Sequence, residues 1–256
     1  MIAAQHSWQV TLRYLRAFVR QPAWVVISLI QPLIWLLLFG ALFKRVADIP
    51  GFTEGSYIEF LTPGVVVMIA VLSASWVGMG FIEDIHRGVM DRFLVSPIWR
   101  GALNVGGVVQ AVLSVAVQAL IVVGLALLAG ARYNGVGGVA VLIAVSGLLA
   151  AVIGSLSNGL AVLPRQRETL IGIVSLVTLP LTFLSSALMQ ESLQPGWVSW
   201  AARFNPVEWA VEAGRSAATQ DPDWALIGSR VGLLTLLLVL SATFATRAFR
   251  AYQRSI

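Results

Sequence analysis

Gly138–Val162, GVAVLIAVSGLLAAVIGSLSNGLAV, is a run of 25 residues without a charge. A hydrocarbon core of roughly 30 Å requires about 20 such residues of a helix that crosses it. The segment has no polar face of the kind a surface helix of a soluble protein shows. It therefore reads as a transmembrane helix, and the chain on either side repeats the pattern. Comparable runs lie at about 22–43, 58–81, 105–129, 170–188 and 224–246, with Pro32 and Pro63 inside the first two. Hydrophobic residues make up 58% of the 256 residues and charged ones 11%, against roughly a quarter charged in ordinary soluble domains. The expected fold is an all-α integral membrane protein with six transmembrane helices.

Ahead of the first span, residues 5–20 place Trp8, Leu12, Leu15 and Val19 on one helical face and Gln9, Arg13, Arg16 and Arg20 away from it. That pattern predicts an amphipathic helix lying in the membrane interface. No cleavable signal pattern is expected in this segment. Basic residues set the orientation. The N-terminal segment, the loop at 83–104, the turn at 163–169 and the tail carry eleven of them, and the opposite side carries six. Because basic residues concentrate on the cytoplasmic side, both termini are expected in the cytoplasm. The net charge of +5 is then that of membrane anchors, not of a nucleic-acid surface.

Several chemistries are excluded as expectations. There is no cysteine, and the histidines are His6 and His86, both outside the spans. An intramembrane Ser–His dyad or a His-Glu-x-x-His zinc site is therefore not expected. Spans almost free of charge argue against a proton relay. No glycine-rich phosphate loop ending in Lys-Ser or Lys-Thr is present, since the one lysine, Lys44, precedes Arg45. If ATP drives this protein, another chain hydrolyses it. Gly147, Ala150, Ala151, Gly154, Ser155 and Ser157 form a small-residue stripe that predicts close helix packing.

Two polar segments carry the most information. Glu83–Arg100 reads EDIHRGVMDRFLVSPIWR: an acidic start, a glycine, an amphipathic turn and a proline stop. On the other side, 184–215 contains LSSAL, QPGW and RFNPVEWAVEAGR. Asn205 followed by Pro206 predicts a helix start, and Glu208, Glu212 and Arg215 share a helical face, so that an ion pair at an external gate is one expectation and simple surface pairing the other. Trp197, Trp200 and Trp209 are expected at headgroup depth.

Taken together in order, these features resemble the permease subunits of ATP-binding-cassette type-2 exporters, especially the daunorubicin-resistance-like branch. Glu83, Gly88, Asp91, Arg92, Pro97 and Arg100 fall where that family's cytoplasmic loop carries its acidic-Gly and Pro-x-x-Arg pattern. Phe183, Leu184, Ser185, Pro195, Trp197, Asn205, Pro206 and Arg215 match the pattern around its last external loop. The chain departs from many relatives at Met189 and Gln190, where an aromatic and a proline are common, and at Asn104, where a basic residue is.

The resemblance implies one permease domain over residues 1–256. Its loop at 83–104 would hold a coupling helix, and its external segment at 189–223 would hold short re-entrant helices before the last span. It implies a second copy of this permease or a close homologue, and two copies of a separate ATPase subunit that bind ATP and magnesium, with no cofactor in this chain. The bacterial plasma membrane is the implied location. An amphiphilic drug or a lipid is the first expectation for cargo and a lipid-linked glycan the second. A structural membrane protein without transport is the rival from another class.

Overall fold

A computed structural model describes residues 29–43, 56–87, 102–163 and 166–253. The interfacial segment at 5–20 and most of the loop at 83–104 lie outside the described residues. Among those described, every regular element is helical. An apolar helix, α1 (Leu29–Leu42), contains a π-helical stretch at Trp35–Phe39. Then follow α2 (Tyr57–Ser75), α3 (Val77–His86), α4 (Ala102–Leu128), α5 (Gly135–Val162) and α6 (Arg167–Phe183). A 3-10 turn at Glu191–Leu193 leads to α7 (Gly196–Ala202), α8 (Pro206–Ala218) and α9 (Trp224–Gln253).

Among the described residues, four stretches are long and apolar enough to cross a membrane: Tyr57–His86, Asn104–Leu128, Gly135–Val162 and Trp224–Ala251. Helix α5 stands at the centre and packs against α2, α3, α4, α8 and α9. Its small residues explain this position. Ser146, Ala150, Ser155 and Ser157 are all buried, and a β-carbon at Gly147 would sit 3.1 Å from Val112 of α4. Without a hydrophobic drive between helices in lipid, such close packing is what holds a bundle together. By contrast Leu236, Val239 and Leu240 of α9 are exposed, the surface expected against acyl chains.

The helix ends follow local chemistry. Ser56 and Glu59 form a reciprocal capping box at the start of α2, and the second carboxylate oxygen of Glu59 accepts the Arg132 N–H at 2.8 Å. That acidic side chain, placed near a span end by sequence, thus ties the α4–α5 turn to α2. Asp223 accepts the N–H groups of Ala225 and Leu226, both at 3.0 Å, and starts α9. Two boundaries differ from expectation. The second span continues to His86 with a break at Trp76, and the fifth ends at Phe183 rather than 188. Residues 184–190 turn instead, because side chains from α8 hold them there.

Candidate functional site

The polar side chains of interest lie at the two ends of the bundle. The broken helix Tyr57–His86, 30 residues at ~1.5 Å each, runs between these ends and spans at most about 45 Å. At the first end, Glu83 pairs with Arg87 one turn on and approaches Arg167, where the α5–α6 turn enters α6, at 4.0 Å. The two loops read as lying on one side of the membrane therefore meet at this carboxylate. Both arginines and Glu83 are well exposed, so these pairs contribute little stability and leave the charges open to a partner. Beneath them Phe81 meets Phe249 of α9 edge-on, with centroids 5.7 Å apart. Gly88, Asp91, Arg92, Pro97 and Arg100 lie outside the described residues.

The break at Trp76 joins this end to the rest. Ser157 of α5 donates its hydroxyl to the Ser75 carbonyl at 2.6 Å and accepts the Gly78 N–H at 3.0 Å, satisfying both sides of the interruption. Ser75 in turn lies 3.3 Å from the Thr178 hydroxyl of α6. A β-carbon at Gly78 would fall 2.4 Å from the Ser157 carbonyl oxygen, so only glycine lets the two helices come this close. The stripe on α5 signalled close packing, but nothing local marked Ser157 as the residue that spans a break in another helix.

At the second end, Asn205 is the N-cap of α8 and accepts the Val207 N–H at 2.9 Å, with Pro206 in the first turn. Its amide nitrogen reaches back to donate to the Leu181 and Leu184 carbonyls, both at 2.7 Å. One buried side chain thus closes the end of α6 and the start of α8. Glu208, also buried, accepts the Ser186 N–H. Arg215 donates to the Ser186 carbonyl at 3.0 Å and its hydroxyl at 3.3 Å. Its guanidinium also lies 3.8 Å over the Phe60 ring. Helical spacing pointed to pairing among Glu208, Glu212 and Arg215. Instead Glu212 pairs with Arg230 of α9 at 2.6 Å, and the other two grip one turn residue from either side. Trp209 donates its indole N–H to the Arg203 carbonyl at 2.8 Å, while Trp197 and Trp200 are exposed.

Beside this clamp is a cavity of about 480 Å³. Its walls include Phe39 of α1 and Phe43 just after it, Tyr57 and Phe60 of α2, Leu188 of the turn and Val198 of α7. Met189 and Gln190, one site of departure from the family pattern, line it as well. The rings of Trp35, Phe39, Phe43, Tyr57 and Phe60 follow one another with centroids 4.5, 5.3, 5.6 and 6.1 Å apart, within the range of favourable aromatic contact. Aromatics at 35, 39 and 43 recur every fourth residue, a signal that the sequence held but that reads equally as filler in a span. Asn104, the other departure, accepts a hydrogen bond from Asn158 at 2.9 Å. Among the described residues no group of three or more His, Cys, Asp or Glu is placed to hold a metal.

Comparison with known proteins agrees with this architecture. Residues 5–218 match the ABC-2 type transporter family. The daunorubicin resistance ABC transporter permease protein DrrB1 of Streptomyces coeruleorubidus is 31% identical over 258 aligned residues, 97% of this chain and 84% of that one. A protein of Porphyra purpurea named as a transport permease, ycf38, is 27% identical over 248 residues, 91% of this chain and 84% of the relative. A permease named for doxorubicin resistance, DrrC of Mycobacterium tuberculosis, is 21% identical over 246 residues, 96% and 87% respectively. The chain belongs to the ABC-2 type transporter family, as a multi-pass membrane transport subunit whose ATPase is a separate chain.

Proposed function

We propose that this permease moves an amphiphilic drug-like molecule or a lipid out of the cytoplasm or inner leaflet, energised by that separate ATPase. The observation that carries the reading is the aromatic-walled cavity at the end of the bundle remote from Glu83. Its volume falls in the ~300–1,000 Å³ range of small-molecule sites, and its walls suit an apolar body. The names of the Streptomyces and Mycobacterium relatives point the same way.

In this proposal two permease chains pair above two ATPase subunits in a bacterial plasma membrane, with both termini cytoplasmic and six crossings per chain. Glu83, Gly88, Asp91, Arg92, Pro97 and Arg100 form the surface that docks on the ATPase. Asn205, Pro206, Glu208, Glu212 and Arg215 hold re-entrant helices on the outer side. Docking drives transport only if the ATPase binds the inward- and outward-facing states differently. Helices α2 and α3, bridged at Trp76 by Ser157, connect the docking end to the cavity. The test is ATP-dependent uptake of a fluorescent amphiphile into inside-out vesicles containing the assembled complex. Reversing the charges of Asp91 and Arg92 together is expected to leave insertion intact and abolish uptake. Wild-type uptake by that variant would refute the docking assignment, and uptake of a lipid-linked sugar alone would replace the amphiphile.

A further inference from the structure

Two neighbouring side chains on α5 hold both helices that flank the segment proposed to dock on the ATPase. Residues 88–101 connect α3 to α4 in the chain. Ser157 grips the first flank, donating to the Ser75 carbonyl and accepting the Gly78 N–H. Asn158 grips the second, donating its amide N–H to the Asn104 side chain in the first turn of α4 at 2.9 Å. Both residues are buried, each 4% exposed. The three helices meet closely here. A β-carbon at Gly107 of α4 would lie 3.0 Å from Val77 of α3 and 3.5 Å from the Asn158 amide nitrogen, and one at Gly154 of α5 would lie 3.6 Å from Val77. In lipid no hydrophobic drive holds apolar helix faces together. A directional hydrogen bond resists separation as well as approach, so these two residues let α5 be pulled as well as pushed.

At its far end α5 meets α8 just as closely. A β-carbon at Gly138 would fall 2.3 Å from the Ala217 carbonyl oxygen, and one at Gly214 would fall 2.5 Å from Leu142. Asn134, at the N-cap of α5, donates its backbone N–H to the Ala218 carbonyl at 3.0 Å. Helix α8 in turn carries Glu208 and Arg215, which grip Ser186 beside the cavity. Between the two ends α5 is one unbroken helix, along which Gly138 and Asn158 lie ~30 Å apart. We propose that α5 is the rod that carries the ATPase's stroke to the outer end, with Ser157 and Asn158 as the positioning residues that fix it to both flanks of 88–101. The proposal rests on 88–101 being the docking segment. Movement of α3 and α4 displaces α5, and the contacts at Gly138 and Gly214 pass the displacement to α8 and its grip on Ser186.

The test uses the permease assembled with a co-expressed ABC ATPase subunit in nanodiscs. Thr182→Cys places a thiol in the cavity wall, at a buried position of a chain with no other cysteine. Its reaction rate with N-ethylmaleimide, read on the permease by mass spectrometry, is measured with and without ATP turnover, alongside ATP hydrolysis. In the complex carrying this change alone, ATP is expected to alter the rate at least about fivefold. Adding Asn158→Leu keeps the volume but loses the donor, and is expected to leave hydrolysis intact while the rate no longer answers to ATP. Asn104→Asp still accepts from Asn158 and is expected to keep the response. Asn104→Leu removes the same bond from the α4 side and serves if Asn158→Leu does not insert. A full response in the leucine variants overturns the inference, as does an equal loss in Asn104→Asp. Loss of hydrolysis together with the response in the leucine variants would reduce the pair to packing, and overturns it too. So does a Thr182→Cys complex whose rate ignores ATP. A failed docking assignment shows differently: reversing Asp91 and Arg92 would then leave both hydrolysis and labelling unchanged.

Discussion

Asn205 shows how much a single side chain carries at the end of a bundle. Its oxygen caps α8 and its nitrogen satisfies two carbonyls at the end of α6, so removing it strands partners on both sides. A lost N-cap costs about 1 kcal/mol and a buried group left unpaired roughly 1–3 kcal/mol. Asn205→Ala should therefore lower the thermal midpoint of the purified protein by several degrees. Asn205→Asp keeps the cap but faces two carbonyls with an acceptor, so it should be at least as harmful. A midpoint equal to wild type for Asn205→Asp would show that the amide nitrogen contributes nothing. The helix start was legible because Asn-Pro chemistry is local. The bonds to Leu181 and Leu184 were not, because they cross more than twenty residues of chain. The same holds for Glu212, whose partner Arg230 lies on the next helix rather than on its own face. Gly64 makes a sharper case. A β-carbon there would lie 2.0 Å from the Ala187 carbonyl oxygen, so Gly64→Ala should displace the turn that lines the cavity and weaken ligand binding more than it weakens folding. Equal ligand affinity in the two proteins would contradict this.

At the scale of elements, the interruption between α2 and α3 is the part that the proposed function ties most directly to transport. Ser157 completes the hydrogen bonding of a helix that it does not belong to. Ser157→Ala leaves the Gly78 N–H and the Ser75 carbonyl without that partner, at an expected cost of about 1–3 kcal/mol in stability. If α3 transmits movement from the docking end, the variant should also transport less per ATP hydrolysed. Unchanged stoichiometry in vesicles would confine Ser157 to a structural role. The long apolar run marked the second span but not its continuation to His86, and the break was missed although Gly78 and Gly80 follow it closely. The fifth span was overextended for a related reason. Leu184, Ala187 and Leu188 are apolar enough to continue a helix, and the Glu208–Ser186–Arg215 clamp that turns them is a tertiary contact.

For the molecule as a whole, apolar composition decided the class because a bilayer admits few alternatives to helices. The cavity was not legible, since it arises where α1, α2, α7 and the turn after α6 converge. Orientation is testable on this chain with little engineering, because it has no cysteine of its own. Cysteine placed at Gln220, before α9, should react with an impermeant thiol reagent in intact cells. Cysteine placed at Glu168, at the start of α6, should react only after permeabilisation. The reverse pattern would invert the assignment of the docking end. The central claim is that this chain is one half of a machine whose ATPase is another polypeptide docked on 83–100. Its most direct test is co-purification with a co-expressed ABC ATPase subunit, in nanodiscs, with the stoichiometry measured by light scattering. A stable two-plus-two complex that dissociates when 83–100 is altered is the predicted result. Failure to associate across several lipid compositions, or association indifferent to changes in 83–100, would contradict it.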